Sequence, residues 1–220
     1  MIRYLYAEEL QKFPKLSQSM FADRADQFKV RLGWDVMVDD KGRERDEYDD
    51  MNPLYVIWEQ PDGNHGGSMR FLPTTGRVMV NDHFAHLMGG GAICSPLIWE
   101  CTRFCLSADA APRIAAALML AGGEIMTGFG IRHFVGVFDA RMVRIYRMIG
   151  SSPEVLGAIG QGRDTISVGL WEFTEVARSR IAARAELSEE ISKQWFDRAF
   201  GQRTKRRLAR HEPLPLALSA

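Results

Sequence analysis

The densest concentration of ionisable side chains is RERDEYDD, residues 43–50, where seven of eight positions carry a charge. Taken alone, such a run is a solvated loop. It gains interest from Arg70, which stands isolated in SMRFLP inside an otherwise apolar stretch. A guanidinium buried there needs carboxylate partners, and Asp46 and Asp49 are available to supply them. WECTRF adds Glu100 and Arg103 to a strand flanked by Leu97, Ile98 and Phe104. Strict alternation sends Glu100 and Arg103 to opposite faces, so both can serve one site only where a bulge or a splayed strand interrupts the pleat. Upstream, Arg24 and Phe28 stand four apart on one helical face, with Trp34 just beyond. Read singly, these are a solvated arginine and two core aromatics.

The elements that position these groups follow from apolar periodicity. A short strand spans about 2–6, and Met20, Phe21, Phe28 and Leu32 fall at helical spacing over 17–32, ended by Gly33. WDVMVDD alternates and predicts a strand. NPLYVIWEQPDGN predicts a second one closed by a Pro-Asp-Gly turn, with GGSMRFLP returning antiparallel to it. Residues 95–107 form the longest extended candidate. PRIAAALMLAGGEIMTGFG behind them has the Ala and Leu content of a buried helix. IRHFVGVFD predicts a strand, ARMVRIYRMIG a short helix, DTISVGLWEFTE a late strand, and residues 177–200 one charged helix. This order predicts an α/β (α+β) protein, a mixed sheet with helices on both faces.

The 220 residues suit one domain, expected over 1–202, followed by a basic, proline-containing tail over 203–220. With 28 basic and 28 acidic side chains, nothing overall suggests affinity for nucleic acid or a membrane surface. Cys94, Cys101 and Cys105 are odd in number, which argues for reduced thiols. No run approaches the ~18 apolar residues of a membrane span, and the first residues carry charges too often for a signal peptide. A cytoplasmic protein is expected. His83 and His86 lack a third ligand at metal-site spacing, so no metal is expected. GGG at 89–91 lacks the Lys-Ser/Thr of a phosphate loop.

Taken together, Arg24, Phe28, Trp34, Glu44, Asp46, Asp49, Arg70, Phe84, Glu100 and Arg103 resemble the acyl-homoserine-lactone synthases, the autoinducer synthases of bacterial quorum sensing, in order and at nearly the family's spacing. The resemblance implies a fold similar to the GCN5-related N-acyltransferases, with a bulge in the fourth strand and a V-shaped cleft between the fourth and fifth. It implies two substrates, S-adenosylmethionine and a fatty acyl group on acyl carrier protein or coenzyme A. Amide formation is then followed by lactone closure and release of methylthioadenosine. S-adenosylmethionine is consumed, so no separate cofactor is expected.

On that reading Arg24, Phe28, Trp34, Phe84 and Arg103 bind S-adenosylmethionine. Aromatic faces attract its sulfonium by about 0.5–2 kcal/mol per ring. Asp46, Asp49, Arg70, Arg103 and Glu100 form the catalytic set, with Glu100 as base for an amine whose reference pKa is about 8. Leu97, Trp99, Leu118, Met126 and Gly136 are expected along the acyl chain, and read equally well as core. Gly136 stands where many members that prefer 3-oxo chains have threonine, which suggests lost hydroxyl and added room. Arg141, Arg144 and Arg147 offer a docking face for an acidic carrier protein. Two rivals are an N-acyltransferase of the same fold acting on another amine, and a non-catalytic binding protein using the Arg-rich C-terminus.

Overall fold

The structure, a computed structural model, describes the backbone of residues 1–209 and the side chains of residues 1–201. Seven strands form one sheet: β1 (Ile2–Tyr6), β2 (Leu54–Glu59), β3 (His65–Pro73), β4 (Ile98–Leu106), β5 (His133–Asp139), β6 (Glu154–Ile159) and β7 (Ile166–Trp171), ordered β1-β2-β3-β4-β5-β7-β6. All neighbours are antiparallel except β4 and β5. The helices are α1 (Ala7–Leu10), α2 (Pro14–Ala25), α3 (Met79–Phe84), α4 (Arg113–Phe129), α5 (Ala140–Ile149), α6 (Glu175–Ala185) and α7 (Glu189–Ala209).

The period-two alternation of β2 sorts the helices onto both faces, as its apolar run on both sides requires. Leu54 and Val56 pack with Leu118 and Ile125 of α4, whereas Tyr55 and Ile57 pack with Leu16, Met20 and Phe21 of α2. Among the described residues, no helix is long and apolar enough to cross a membrane.

Four sequence expectations need correction. The stretch after Gly33 forms no strand: Trp34 N donates to Phe28 O and Val36 N to Trp34 O, so its backbone bonds go into local turns, and only a Val38–Glu44 bridge remains. The first long helix ends at Ala25 and continues as one π-helical turn over Asp26–Arg31. β6 was not foreseen because it is an edge strand exposed on both faces, which removes the alternation that marks a half-buried strand. The C-terminal helix is two helices separated at Glu186, which adopts a left-handed φ of 54°. Helix α7 runs through Ala209, and residues 210–220 of the tail expected over 203–220 lie outside the described residues.

Two irregularities position the site. β4 pairs with β5 only through Ile98–His133, Trp99–Phe134 and Glu100–Val135, after which the two strands part. On the other side of β4, Arg70 faces Thr102 and Ser68 faces Cys105, so β4 carries one extra residue at Arg103–Phe104. That is a β-bulge, and Arg103 takes a φ of 52° within it.

Candidate active site

The bulge resolves the alternation problem between Glu100 and Arg103. Left-handed φ is uncommon for a residue with a Cβ. Here it turns Arg103 toward the face that carries Arg70, and Arg103 Nη2 reaches Glu44 Oε1 at 2.9 Å and Asp46 Oδ2 at 2.8 Å. Arg70, fully buried, donates to Thr102 Oγ1 at 3.0 Å, to Asp49 Oδ1 at 2.8 Å and to both carboxylate oxygens of Asp46. Arg24 donates to Glu44 Oε2 at 2.5 Å and forks onto Asp49 with two bonds of 2.9 Å.

Three arginines and three carboxylates thus neutralise one another in a nearly dry setting, where each charge is tolerated only because it is paired. Burial alone would raise the Asp49 carboxyl, but the Arg24 and Arg70 guanidiniums override it and hold it well below the usual carboxylate range. Within the charge run, Glu44, Asp46 and Asp49 turn inward, while Arg43, Arg45, Glu47 and Asp50 stay at the surface. Asp46 is held in place by its own loop, accepting from Tyr48 N and Asp49 N.

Glu100 is buried at the N-terminus of α3. Its Oε2 accepts from Met79 N at 3.0 Å and its Oε1 from Val80 N at 2.5 Å. Burial raises its pKa to about 7, although the two N–H groups and Arg70 pull it down. The carboxylate lines neither of the cavities described next, so a role as base would have to run through a bridging water. In this structure it positions α3.

Where β4 and β5 part, a cavity of about 700 Å³ passes through the sheet. On the α2 side its wall holds Phe28, Trp34, Met79 and Phe84; on the α4 side Met69, Phe71, Met126 and Phe134. The rings of Phe28 and Trp34 stack at 5.1 Å, with interplanar angle 11°. A second, more open cavity of about 590 Å³ is lined by Asp35, Asp39, Glu44, Asp46, Glu47 and Asp50, against Arg45 and Arg103. The two share Asp35, Val36, Met79, His83 and Arg103. An apolar chamber and an acidic one therefore meet at the bulge.

Of the residues singled out from sequence, Phe28, Trp34, Phe84, Arg103, Met126, Gly136 and Arg141 lie on the wall of the larger cavity, and Asp46 on that of the smaller. Arg24, Arg70 and Asp49 do not reach either wall. Their hydrogen-bonding groups are engaged with one another, which makes them supports of the site in place of ligands. Leu97, Trp99 and Leu118 are also off the wall: Leu97 lies at the surface, Trp99 packs on Phe129 at 5.6 Å, and Leu118 is wholly inside the core. Gly136 creates no spare room. A Cβ there would lie 2.8 Å from Cys101 O, so the bare backbone is what lets the strands lie so close. Arg144 and Arg147 are exposed on α5 beside Arg141.

Sequence reasoning missed Gln27. From the π-helical turn its Nε2 donates to Phe104 O at 2.9 Å and its Oε1 accepts from Leu106 N at 3.1 Å, serving the edge of β4 that β5 has left. A glutamine at the end of a helix carries no sequence signal for that task.

A mixed sheet bulged in its fourth strand and opened between the fourth and fifth around a through-going cavity defines the class: an N-acyltransferase fold of the GCN5-related type. An acyl-CoA N-acyltransferase from Pseudomonas aeruginosa shares it with a TM-score of 0.50 at 14% identity, over 79% of this chain and 99% of that one. Within the class, the autoinducer synthase profile matches residues 8–174. The acyl-homoserine-lactone synthase of Rhizobium etli is 38% identical over 200 residues, 87% of this chain and 94% of that protein. The solved synthase LasI aligns at 28% identity and a TM-score of 0.72, over 83% of this chain and 94% of its own. The CoA-dependent synthase BjaI, solved with S-adenosylmethionine and isopentyl-CoA, gives 22% and 0.74 over 85% and 90%. The chain belongs to the autoinducer synthase family and is an acyltransferase-type enzyme, an acyl-homoserine-lactone synthase in activity.

Proposed function

We propose that the protein joins S-adenosylmethionine to a fatty acyl group delivered on acyl carrier protein, forming an N-acyl-homoserine lactone and releasing methylthioadenosine. The observation that carries this reading is the meeting of the acidic and apolar cavities at Arg103. A cationic amine donor belongs in the first, and a hydrocarbon chain in the second. BjaI, bound to S-adenosylmethionine and an acyl-CoA, supports the same pairing of substrate types.

In this mechanism the sulfonium rests over the outer face of Trp34, the one not stacked on Phe28, with the surrounding carboxylates favouring its charge. Arg103, fixed by Glu44 and Asp46 through Nε and Nη2, turns Nη1 to orient the methionyl carboxylate. The amine loses its proton to water in the open acidic groove and attacks the thioester carbonyl. N–H groups at the bulge stabilise the oxyanion that develops, and the thiol of the carrier departs. The methionyl carboxylate oxygen then attacks the carbon bearing the sulfonium, closing the lactone ring as the C–S bond breaks. That step demands chiefly orientation.

The exposed row Arg141, Arg144 and Arg147 favours an acidic carrier protein as donor, because Arg141 also lines the larger cavity. The test is incubation with S-adenosylmethionine and matched panels of acyl carrier protein and coenzyme A thioesters, with mass spectrometry of products. Acyl-homoserine lactone and methylthioadenosine in equal amounts, formed faster from the carrier protein, are expected. An amide formed without methylthioadenosine indicates transfer to another amine, and a higher kcat/KM with coenzyme A thioesters overturns the assigned donor.

A further inference from the structure

The α4 side of the large cavity ends on an unusual contact. Gly122 and Gly123 stand together on α4, and both line the cavity. At Gly122 an added Cβ would meet only ordinary contacts, Phe134 at 3.4 Å and Met69 at 3.6 Å. At Gly123 it would collide with the tip of the Phe173 ring, at 2.0 Å from Cζ and 2.3 Å from Cε1 and Cε2. Phe173, just beyond β7, also lines the cavity, so its ring is seated on bare helix backbone and walls off the chamber there. Behind the ring lies charge: the Arg178 guanidinium sits 6.0 Å from its centroid and pairs with Glu124 at 2.6 Å, both side chains largely buried. Glu124 Oε1 and Arg178 Nε have no hydrogen-bond partner among the described residues. The ring therefore separates an apolar chamber from an under-bonded ion pair, a boundary that a hydrocarbon cannot cross without desolvating charge.

We propose that Phe173, seated in the notch at Gly123, sets the length of acyl chain the enzyme accepts. The inference rests on the proposed reading, in which the acyl chain occupies this cavity. A chain entering at the bulge fills the space between β4 and β5, passes Met69, Phe71 and Phe134, and stops with its terminal methyl against the Phe173 ring. Gly123 acts through Phe173. A methyl group there displaces the ring tip, which yields more readily than backbone and can move into the cavity that it lines.

The two positions then make opposite predictions. Phe173→Val deepens the chamber while keeping an apolar cover over the ion pair, and shifts the product profile to longer chains. Gly123→Ala drives the ring inward and shifts it to shorter ones. Each is expected to change the ratio of kcat/KM for adjacent even-numbered donors by about tenfold or more, the discrimination that a methylene or two in an apolar pocket supports. The KM for S-adenosylmethionine stays within about twofold in both. The double variant Gly123→Ala/Phe173→Val removes the clash and is expected to follow the long-chain profile of Phe173→Val alone.

The experiment measures product chain length for wild type and the three variants with a mixed-chain donor panel. Opposite shifts, with the double following Phe173→Val, support the proposal. Should Gly123→Ala fail to fold, Phe173→Val and the double variant still decide it. A wild-type chain-length profile in folded Phe173→Val overturns it, as does a double variant that keeps the short-chain profile. Failure of the underlying reading looks different: wild type itself then yields no acyl-homoserine lactone from any donor.

Discussion

Arg103 Nη2 lies 2.8 Å from Asp46 Oδ2, and it does so from a backbone held at a φ of 52°. Ordinary extended geometry would turn Arg103 to the opposite face of the sheet, away from Arg70. The bulge thus exchanges backbone comfort for a guanidinium at the junction of two cavities, a trade typical of functional positions.

Loss of Arg103 is expected to show as weaker capture of S-adenosylmethionine. A charge-assisted hydrogen bond is worth about 1.5–3 kcal/mol, so Arg103→Ala lowers kcat/KM for this substrate about tenfold or more. Arg103→Lys does not restore it, because an ammonium cannot span Glu44 and Asp46 with a planar fork. Initial rates at varied S-adenosylmethionine check this, and a lysine variant within twofold of wild type would show that the fork is not used.

Arg70 is expected to matter first for stability. Its removal leaves Asp46 and Asp49 short of a partner in a site with almost no water. Breaking a buried ion pair from one side costs about 3–5 kcal/mol. Urea unfolding of Arg70→Ala should show a lower midpoint at unchanged slope, together with a rate loss of more than about tenfold at temperatures where it remains folded.

The position of Glu100 links activity to pH. Its ionised form accepts the Met79 and Val80 N–H groups and so fixes α3, which carries Met79, His83 and Phe84 onto the cavity wall. With its pKa raised to about 7, chiefly by burial, protonation weakens that hold below neutrality. The sign for stability runs the other way: the folded state retains this proton over a range where the unfolded chain has lost it, so this group's contribution to stability declines as pH rises toward 7. The expected kcat/KM profile therefore has an acid limb near pH 7, while Glu100→Gln is more than about tenfold slower with that limb abolished. A Glu100→Gln enzyme within twofold of wild type at every pH would remove Glu100 from the mechanism.

Much of this site was legible because charge in an apolar setting demands partners. Arg70 in SMRFLP announced a need that Asp46 and Asp49 meet, and the Glu100–Arg103 spacing required an interrupted strand. What stayed hidden has physical causes too. Arg24 looks like any helical arginine until tertiary structure supplies Glu44. Leu118, Trp99 and Met126 are equally apolar, and only geometry tells that Met126 faces the cavity while the other two fill the core. Trp34, Val36 and Val38 imitate a strand, yet their backbone bonds go into local turns and a single Val38–Glu44 bridge.

Gln27 illustrates the same limit and gives a further test. Its amide replaces the missing neighbour of β4 while the next residue, Phe28, forms the aromatic wall, so one side chain ties the two halves of the site together. Gln27→Leu leaves Phe104 O and Leu106 N without that partner, at about 1–3 kcal/mol. Gln27→Glu keeps the acceptor for Leu106 but sets a carboxylate against the Phe104 carbonyl. Both variants are expected to raise KM for S-adenosylmethionine and for the acyl donor together, with Gln27→Leu the milder; a change confined to one substrate would argue against a shared support.

Gly136 yields the last prediction, and it runs against the reading that the missing side chain makes room. A threonine there places its Cβ 2.8 Å from the Cys101 carbonyl oxygen, and that oxygen belongs to β4 backbone, which cannot swing aside as a side-chain tip can. Trp171 closes the position further at 3.4 Å. Relief requires β4 and β5 to spread next to their last paired residues, Glu100 and Val135, where overpacking costs about 1–3 kcal/mol. Gly136→Thr is therefore expected to lower the urea midpoint and to slow the enzyme without raising the proportion of 3-oxo product. Product ratios from paired 3-oxo and unsubstituted donors decide it: a variant as stable as wild type that turns toward 3-oxo chains would mean that the strands yield and that the hydroxyl is what this wall lacks.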